Sequence, residues 1–433
     1  SFAPAPPSCS GFMARDSATD GGRLLIGRNF DFFGQGLWDA NNSLIFVEPD
    51  EGRKYCWIGS LGVPGSGQCM NESGLVMSLH TKFNRDVRMT GVPLFALLTE
   101  ILESCDTIED VIRMVDARPR LCGLSLFVVD TKKRDATVIG FSANHFELLR
   151  PENDVLVRTN HYLSDAMKQL EIPVYPWKMH SESRFNRIHA RLEEKRGALK
   201  PEDIPSIMSD DIDHWEGKRR LAGNIVGATN NSQSVAFSPD EDAIWLANGP
   251  FPVCYSDRYE GFSISALFAR DRDNYDINDL PGGDTAGETE KQARSHYQQA
   301  WSAHLESFRD DMAVFHLRQA AELAPWEPVY PRMAGMLLLK LEKYQQALPF
   351  LEKNVESDLN SGVMKAEALL WLGRCLDLLG RREEAVEKYR AAAQLDEYPV
   401  SGTARGHINK PFAAKALGPV SPEFVVGTVL AKY

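Results

Sequence analysis

The sequence predicts an α+β protein that continues into an all-α region, and two observations carry this prediction. Up to about residue 280, short strand-like apolar runs alternate with paired segments of helical apolar spacing. Beyond about residue 290, the segments are helical and contain an internal repeat. Strand-rich blocks with helices in pairs indicate sheets covered by helices. A chain of 433 residues is long enough for two or three such domains.

The first predicted element is a β-hairpin over residues 9–33. Two strand-like runs flank residues 16–22, which are dense in turn residues. The hairpin would hold the thiol of Cys9, the guanidinium of Arg28 and the carboxylate of Asp31 near one another. A thiol becomes a nucleophile when a cation favours its thiolate and a neighbouring group orients it. On spacing alone, a buried structural cysteine beside an ordinary Arg–Asp pair is the more frequent interpretation.

Further strands and helices are predicted in the same region. Strands are predicted at 43–48, 54–60, 75–81, 124–129, 137–141, 145–149, 155–159, 225–229, 235–237 and 243–247. Helices are predicted at 93–105, 108–115, 184–196 and 201–208. Periodicity alone gives the class α+β and leaves the arrangement of the layers open.

The all-α region has a repeat typical of tetratricopeptide helix pairs. Gly373 is followed by Ala385 after twelve residues and by Tyr389 after sixteen. The twelve-residue step recurs from Gly335, and a weaker third copy begins near residue 301. Three unrelated amphipathic helix pairs are the alternative. If the repeat interpretation holds, Tyr389 and Trp371 will be buried between helices, with Phe424–Leu430 covering an exposed end.

The composition argues against several partners. The net charge is −12, and the acidic excess lies within the first 290 residues. Because phosphate binding needs clustered Lys and Arg, we expect no nucleic-acid partner. No apolar run approaches eighteen residues, so we expect no membrane span.

The cysteines indicate one reactive thiol and no metal. There are seven cysteines without a CxxC motif, and their spacings suit neither a zinc site nor a dense disulfide framework. No histidine pair has the i, i+4 spacing of a helical metal site. We therefore expect no metal and no organic cofactor.

Residues 1–8 form a short, Pro-rich lead. It can be the stretch left after cleavage of an export signal, the end of a pro-segment, or a cloning boundary. The first origin favours an exported or periplasmic protein, and a cytoplasmic location is the alternative.

Several motifs together resemble the choloylglycine hydrolase and penicillin acyltransferase families. They are Cys-Ser-Gly-Phe at 9–12, Gly-Arg-Asn-Phe-Asp-Phe at 27–32, Met-Asn-Glu-Ser-Gly-Leu at 70–75, Thr-Asn at 159–160 and Ser-Arg-Phe at 183–185. They occur in the order of the family, and the resemblance covers about residues 9–270. Members are N-terminal nucleophile (Ntn) hydrolases, made as precursors that cut themselves before a cysteine. The resemblance implies a four-layer α-β-β-α sandwich.

The same resemblance implies roles for the residues of the hairpin. Cys9 is the nucleophile, and the bond between Ser8 and Cys9 is the one that is cut. The freed α-amino group has a usual pKa of about 8, so it can serve as the base near neutral pH. Arg28 favours the thiolate, and Asp31 orients the new amino group.

Two later segments complete the implied site. The side-chain amide of Asn160 stabilises the tetrahedral oxyanion, and Arg184 lies in the site, with the arginines three and seven residues further on as alternatives. Thr81 aligns with the second oxyanion contact. A slip of one residue would place His80 there instead.

An apolar acyl pocket is also expected, because ligand sites usually need one. The candidate residues, which are equally typical of a core, are Phe32, Phe33, Trp38, Trp57 and Phe83.

We therefore predict a cysteine amidohydrolase or acyltransferase that processes itself and cleaves a linear, non-peptide amide. Its substrate would be a small acyl amide, and the repeats offer a surface for a protein or peptide partner. The alternative is a non-catalytic scaffold that uses the repeats alone. The predicted domains are a leader or pro-segment remnant (1–8), the catalytic domain (9–279), a linker (280–290), the repeats (291–398) and a C-terminal tail that can dock elsewhere (399–433).

Overall fold

The computed structural model describes residues 8–32, 34–36, 42–60, 68–172, 174–418 and 420–430. The chain forms two compact units. The first comprises residues 1–210 and 224–284, and the second comprises residues 211–223 and 285–433. The chain therefore passes from one unit to the other at 210/211, 223/224 and 284/285.

The first unit contains two antiparallel sheets and the helices α1–α6. Its first ten strands are β1 (Ser8–Asp16), β2 (Gly22–Asp31), β3 (Asn42–Val47), β4 (Tyr55–Ser60), β5 (Gln68–Asn71), β6 (Leu75–Thr81), β7 (Leu124–Asp130), β8 (Asp135–Phe141), β9 (Phe146–Leu149) and β10 (Val155–Arg158). The next two strands in the chain, β11 (Ile212–Asp213) and β12 (Lys218–Arg219), are short and belong to the second unit. The first unit then continues with β13 (Asn231–Ser238), β14 (Ala243–Ala247), β15 (Arg258–Ser263) and β16 (Asp276–Pro281). Its helices are α1 (Leu94–Ser104), α2 (Ile108–Ala117), α3 (Asp165–Lys168), α4 (Tyr175–Glu194), α5 (Asp203–Met208) and α6 (Ile264–Ala269).

The first sheet has the strand order β10-β1-β2-β13-β14-β15-β16, and the second runs β3 to β9 in sequence order. Strand β1 thus lies between β10 and β2. In the β1–β2 register, Ser8 lies opposite Asp31 and Cys9 lies opposite Phe30. The predicted hairpin is present, and its register puts the carboxylate beside the Ser8–Cys9 bond.

The sheets pack face to face, and helices cover both outer faces. Because neighbouring strand residues point to opposite faces, Phe12 and Met13 of β1 enter different cores. Phe12 packs outward with Ile188 of α4 and Ile204 of α5, whereas Met13 packs inward among side chains of both sheets. Helices α1 and α2 pack against the outer face of the second sheet. The predicted four-layer α-β-β-α sandwich is confirmed.

The second unit is mainly helical. Its helices are α7 (Glu288–Leu305), α8 (Asp310–Leu323), α9 (Val329–Lys340), α10 (Tyr344–Glu356), α11 (Gly362–Leu378), α12 (Arg382–Gln394) and α13 (Val400–Asn409), followed by the strands β17 (Ser421–Glu423) and β18 (Thr428–Leu430). Helices α7 to α12 form the three predicted pairs. Tyr389 and Trp371 are fully buried, as the repeat requires. A Cβ atom at Gly373 would lie 2.6 Å from the Tyr389 ring, which explains the glycine at the closest approach of α11 and α12.

Some local predictions were wrong. Residues 225–229, predicted as a strand, form bends followed by the start of a turn. Helix α4 begins at Tyr175 rather than near residue 184. The polar stretch at 280–289 is not wholly a linker, because β16 extends to Pro281 and α7 begins at Glu288. The grouping of residues 211–223 with the repeats was not predicted either.

Candidate active site

The site is built around the peptide bond between Ser8 and Cys9 in β1. Cys9 is buried, and its backbone N–H donates to Oδ1 of Asn160 at 2.8 Å. The hydroxyl of Ser8 donates to Oδ2 of Asp31 at 3.1 Å. Polar side chains therefore hold the backbone on both sides of the Ser8–Cys9 bond.

Arg184 of α4 joins the other side of Cys9. Its Nη1 donates to the Cys9 carbonyl at 2.7 Å and to the Ser10 hydroxyl at 2.8 Å, and its Nη2 donates to Asn160 Oδ1 at 2.8 Å. Burial lowers the pKa of Arg184 to about 10, while Asp31 and Cys9 oppose this effect. The guanidinium is thus a cation at neutral pH, and Cys9, Asn160 and Arg184 form one hydrogen-bonded group.

Arg28 and Asp31 lie beside this group in β2 and are both buried. Arg28 donates to the carbonyls of Ser10 at 3.2 Å and of Leu79 at 2.6 Å. Burial raises the pKa of Asp31, whereas the charges of Arg184 and Arg28 and the hydrogen bonds that the carboxylate accepts lower it. The Asp31 carboxyl group thus lies beside two buried guanidinium groups, whose charges only partly offset the rise in its pKa.

Thr81 and His80 at the end of β6 have different surroundings. Asn160 Nδ2 donates to the Thr81 carbonyl at 3.2 Å and to its hydroxyl at 3.3 Å. His80 points to the opposite side, where its Nε2 lies 3.3 Å from the Ser78 hydroxyl and its ring faces Phe127. Of the two alternatives, the structure places Thr81 in the group around Cys9.

Two polar residues near the site were not predicted. Asn231 donates to Asp31 Oδ1 at 2.8 Å from a position 200 residues away in sequence. Lys82 is buried and donates to the Thr159 carbonyl. Burial, followed by repulsion from Arg158, holds the pKa of Lys82 well below its usual range. Their sequence signals are a lysine directly after a strand and an Asn-Asn pair at the start of one, and both are too common to identify a site residue.

A pocket opens beside Asn160. Its lining residues are Phe83, Asn160, His161, Glu171, Ile172, Val174, Trp177 and Lys178. Nδ1 of His161 lies 2.9 Å from the hydroxyl oxygen of Ser181, and this hydrogen bond fixes the ring. Burial lowers the pKa of His161 to about 2, so its ring is neutral. The pocket has apolar walls, the side chains of Glu171 and Lys178 and the neutral imidazole of His161, and its enclosed volume is about 30 Å³.

The predicted pocket aromatics fall into three groups. Phe83 lines the pocket. Phe32 is half-buried and stacks on Phe30, with ring centroids 5.5 Å apart. Trp57 lies in the core between the second sheet and α1, so its assignment to a pocket is corrected. Phe33 and Trp38 lie outside the described residues.

Metal-binding clusters and membrane helices are both absent from the described residues. No group of three or more His, Cys, Asp or Glu side chains among them could hold a metal ion. None of their helices is both long and apolar enough to cross a membrane.

Comparisons with known families agree with the sequence motifs. Residues 17–221 match the family model described as acyl-coenzyme A:6-aminopenicillanic acid acyl-transferase, and residues 366–399 match a tetratricopeptide repeat model. Both resemblances are thereby confirmed, and the first indicates an amidohydrolase or acyltransferase of the N-terminal nucleophile class. The matched region includes Arg28, Asp31, Asn160 and Arg184 but begins after Cys9.

Individual similar proteins are distant. An uncharacterized protein of Archaeoglobus fulgidus is 24% identical over 183 residues, which are 37% of this chain and 30% of that protein's length. The N-acylethanolamine-hydrolyzing acid amidase ortholog of Caenorhabditis elegans is 15% identical, with a TM-score of 0.39, over 53% of this chain and 93% of that chain. A variant of conjugated bile acid hydrolase from Clostridium perfringens is 12% identical, with a TM-score of 0.40, over 59% of this chain and 92% of that chain.

Proposed function

We propose that the chain is a self-processing cysteine amidohydrolase or acyltransferase in which Cys9 attacks a linear, non-peptide amide. The observation that carries this proposal is the hydrogen-bonded group around the Ser8–Cys9 bond. Asn160 accepts from the Cys9 N–H, and Arg184 donates to the Cys9 carbonyl. A structural cysteine in a strand has no need of a buried arginine and a buried carboxylate beside its backbone.

The first step in the proposal is processing. The Cys9 thiol adds to the Ser8 carbonyl carbon, and the Ser8–Cys9 C–N bond then breaks as its nitrogen takes up a proton. The Ser8 acyl group is left on sulfur as a thioester. Water hydrolyses this thioester, which gives a Ser8 carboxylate, a free Cys9 thiol and a free Cys9 amine.

The second step is turnover. The Cys9 amine takes the thiol proton as sulfur attacks the substrate carbonyl, and it passes that proton to the departing amine. One hydrogen of Asn160 Nδ2 serves Thr81, and we assign the other to the oxyanion. Water or a second amine then takes the acyl group from sulfur, which corresponds to hydrolysis or to acyl transfer.

We assign the substrate's apolar part to the pocket beside Asn160. Phe83, Ile172 and Trp177 supply apolar surface there, and the pocket reaches the residue that we propose to bind the oxyanion. We propose a small acyl amide as the substrate.

The test is trapping of the acyl-enzyme. The protein is incubated with a panel of acyl amides with and without amine acceptors, and the modified peptide is identified by mass spectrometry. We expect an acyl adduct on the peptide that contains Cys9. Cys9→Ala should abolish it, whereas replacement of the exposed thiol in Cys122→Ala should leave it unchanged. Turnover of an amide by Cys9→Ala would contradict the proposal.

A further inference from the structure

The short hairpin formed by β17 and β18, residues 421–430, has an unusual distribution of polarity. Its strands are joined by Phe424-Val425-Val426-Gly427, whereas hairpin turns are ordinarily polar and exposed. Phe424, Val425 and Val426 are all buried, and Ser421 at the open end is exposed. A two-stranded hairpin is at best marginally stable alone, so an apolar tip needs a surface that receives it.

Helix α7 provides the first part of that surface. The Tyr297 hydroxyl donates to the Phe424 carbonyl at 2.7 Å. The Phe424 ring lies 5.3 Å from the ring of Tyr297 and 5.5 Å from that of His304, measured between centroids. The tip is therefore recognised through one aromatic ring and one backbone carbonyl.

Helix α9 provides the second part. Arg332 Nη1 donates to the Gly427 carbonyl at 3.0 Å, while its Nη2 is fixed by Asn360 Oδ1 at 2.7 Å. Gly427 has φ +65°, and a Cβ atom on it would lie 2.7 Å from the Val329 side chain. The site thus requires glycine at this position for both the turn and the close approach.

Helix α11 provides the third part, since Glu367 accepts a hydrogen bond from the Thr428 hydroxyl. Helices α7, α9 and α11 are the first members of their pairs. We call the surface that they form around Tyr297, Arg332 and Glu367 the receiving face. Its contacts are directed at two carbonyls, one aromatic ring and one hydroxyl, which is how a short peptide segment is recognised.

We infer that the receiving face is a binding site for an apolar peptide turn of the type Phe-x-x-Gly-Thr, and that residues 421–430 of this chain occupy it as a tethered ligand. A tether makes the local concentration of the hairpin high, so a free peptide of equal affinity competes poorly. A partner protein that uses this face must therefore present the same chemistry and displace the hairpin.

The test uses full-length protein and a fluorescein-labelled synthetic peptide of residues 420–430. The chain variant Phe424→Ala/Gly427→Ala weakens the tethered ligand and leaves the receiving face unchanged. We expect saturable binding of the peptide to this variant by fluorescence anisotropy, and binding at least about tenfold weaker to the wild-type chain. A peptide with Phe424→Ala should not bind, and the chain variant Ser421→Ala should behave as wild type because Ser421 is exposed.

Equal binding to both chains, or to neither, would overturn the inference. If circular dichroism shows that the double variant is unfolded, hydrogen exchange of the wild-type chain decides instead. We expect the amides of residues 424–428 to exchange through an opening of lower free energy than those of α9 and α11. If the amides of residues 424–428 exchanged only through the same opening as those of α9 and α11, the hairpin would be a fixed part of the repeat core. Neither experiment measures catalysis, so their failure leaves the proposed function untouched.

Discussion

At the scale of single residues, Asn160 makes the most varied contacts in the site. Its amide oxygen accepts from both Cys9 N–H and Arg184, and its amide nitrogen donates to Thr81. These contacts fix the plane of the amide before any substrate binds. In our proposal the same side chain first positions the backbone of Cys9 and later stabilises the oxyanion.

Replacing Asn160 by Ala should lower turnover by about 10²–10³, because one oxyanion donor is lost. Folding should remain intact, since the side chain of Asn160 is only half-buried. The matched control is Asn144→Ala, which alters an exposed asparagine that is bonded to Asp86. Steady-state kinetics and circular dichroism provide the measurement. A wild-type rate in Asn160→Ala would show that the oxyanion assignment is wrong.

Replacing Asp31 by Asn should impair both processing and turnover. The substitution keeps the shape of the side chain but removes the negative charge that Arg28 and Arg184 face inside the protein. Two buried cations then lack their compensating carboxylate, and Ser8 and Cys9 lose their alignment. Gel electrophoresis measures the extent of processing, and an amide-release assay measures turnover. Normal values in both assays would contradict the role proposed for Asp31.

Local sequence information could predict only part of this site. Cys9, Arg28 and Asp31 belong to one hairpin, so strand register alone brings them together. Asn160 and Arg184 could be named only through the family resemblance. Asn231 could not be predicted, because its contact with Asp31 joins strands that are 200 residues apart and depends on the complete sheet.

At the scale of elements, the repeat helices were the easiest to predict. Their spacing requires small residues where helices touch, and Gly373 meets Tyr389 at such a point. The grouping of residues 211–223 with the repeats could not be predicted, because these residues pair with charged residues of other elements. Arg220, for example, is buried in an ion pair with Glu327 at 2.7 Å. Nonlocal ion pairs have no periodic signal in a sequence.

Replacing Gly373 by Ala should lower the free energy of unfolding by up to about 2 kcal/mol. The new Cβ would lie 2.6 Å from the Tyr389 ring, and overpacking costs about 1–3 kcal/mol against a helix-propensity gain of about 1 kcal/mol. The matched control is Gly402→Ala in α13, where the new Cβ meets no atom within 4 Å. Urea unfolding should show the control unchanged or slightly stabilised. Equal stability of both variants would contradict the packing explanation.

Binding of the hairpin peptide should weaken as the pH rises. Burial raises the pKa of Glu423 from 4.5 to about 7, so the docked state holds a proton that the free peptide has lost. The favourable contribution is complete below about pH 4.5 and is lost as the pH passes through about 7. Anisotropy titrations at pH 5.5 and 8 with the double variant should show this difference.

The matched control for that titration is the peptide with Glu423→Gln. The ionisable groups of the helices that contact the hairpin are common to both titrations: Tyr297 and His304 of α7, Arg332 of α9 and Glu367 of α11. We therefore expect the pH difference to disappear with the Gln peptide. An identical pH dependence for both peptides would assign the effect to the helices rather than to Glu423.

At the scale of the whole molecule, the chain crosses between its two units three times rather than once. Residues 211–223 leave the first unit and group with the repeats, where Arg219 pairs with Glu290 at 2.8 Å and Arg220 pairs with Glu327. The repeats are therefore not an appendage joined by a single linker.

Truncation after Thr289 should yield a chain that aggregates. The deletion removes Glu290 and Glu327 and leaves Arg219 and Arg220 without those partners, although residues 211–223 remain in the chain. Size-exclusion chromatography is the measurement, with truncation after Lys410 as the control, because that chain keeps both carboxylates. A monomeric, self-cleaving product from the shorter chain would show instead that the repeats are a separable module.

The central claim is that Cys9 acts as an N-terminal nucleophile, and the mass of the intact active protein tests it most directly. Purified protein with measured amide turnover is analysed by electrospray mass spectrometry beside the Cys9→Ala variant. We expect the active chain to begin at Cys9, having lost residues 1–8, and the variant to keep these residues and be inactive. A fully active enzyme that retains residues 1–8 would contradict the claim, because its Cys9 nitrogen would still be an amide and could not act as the base.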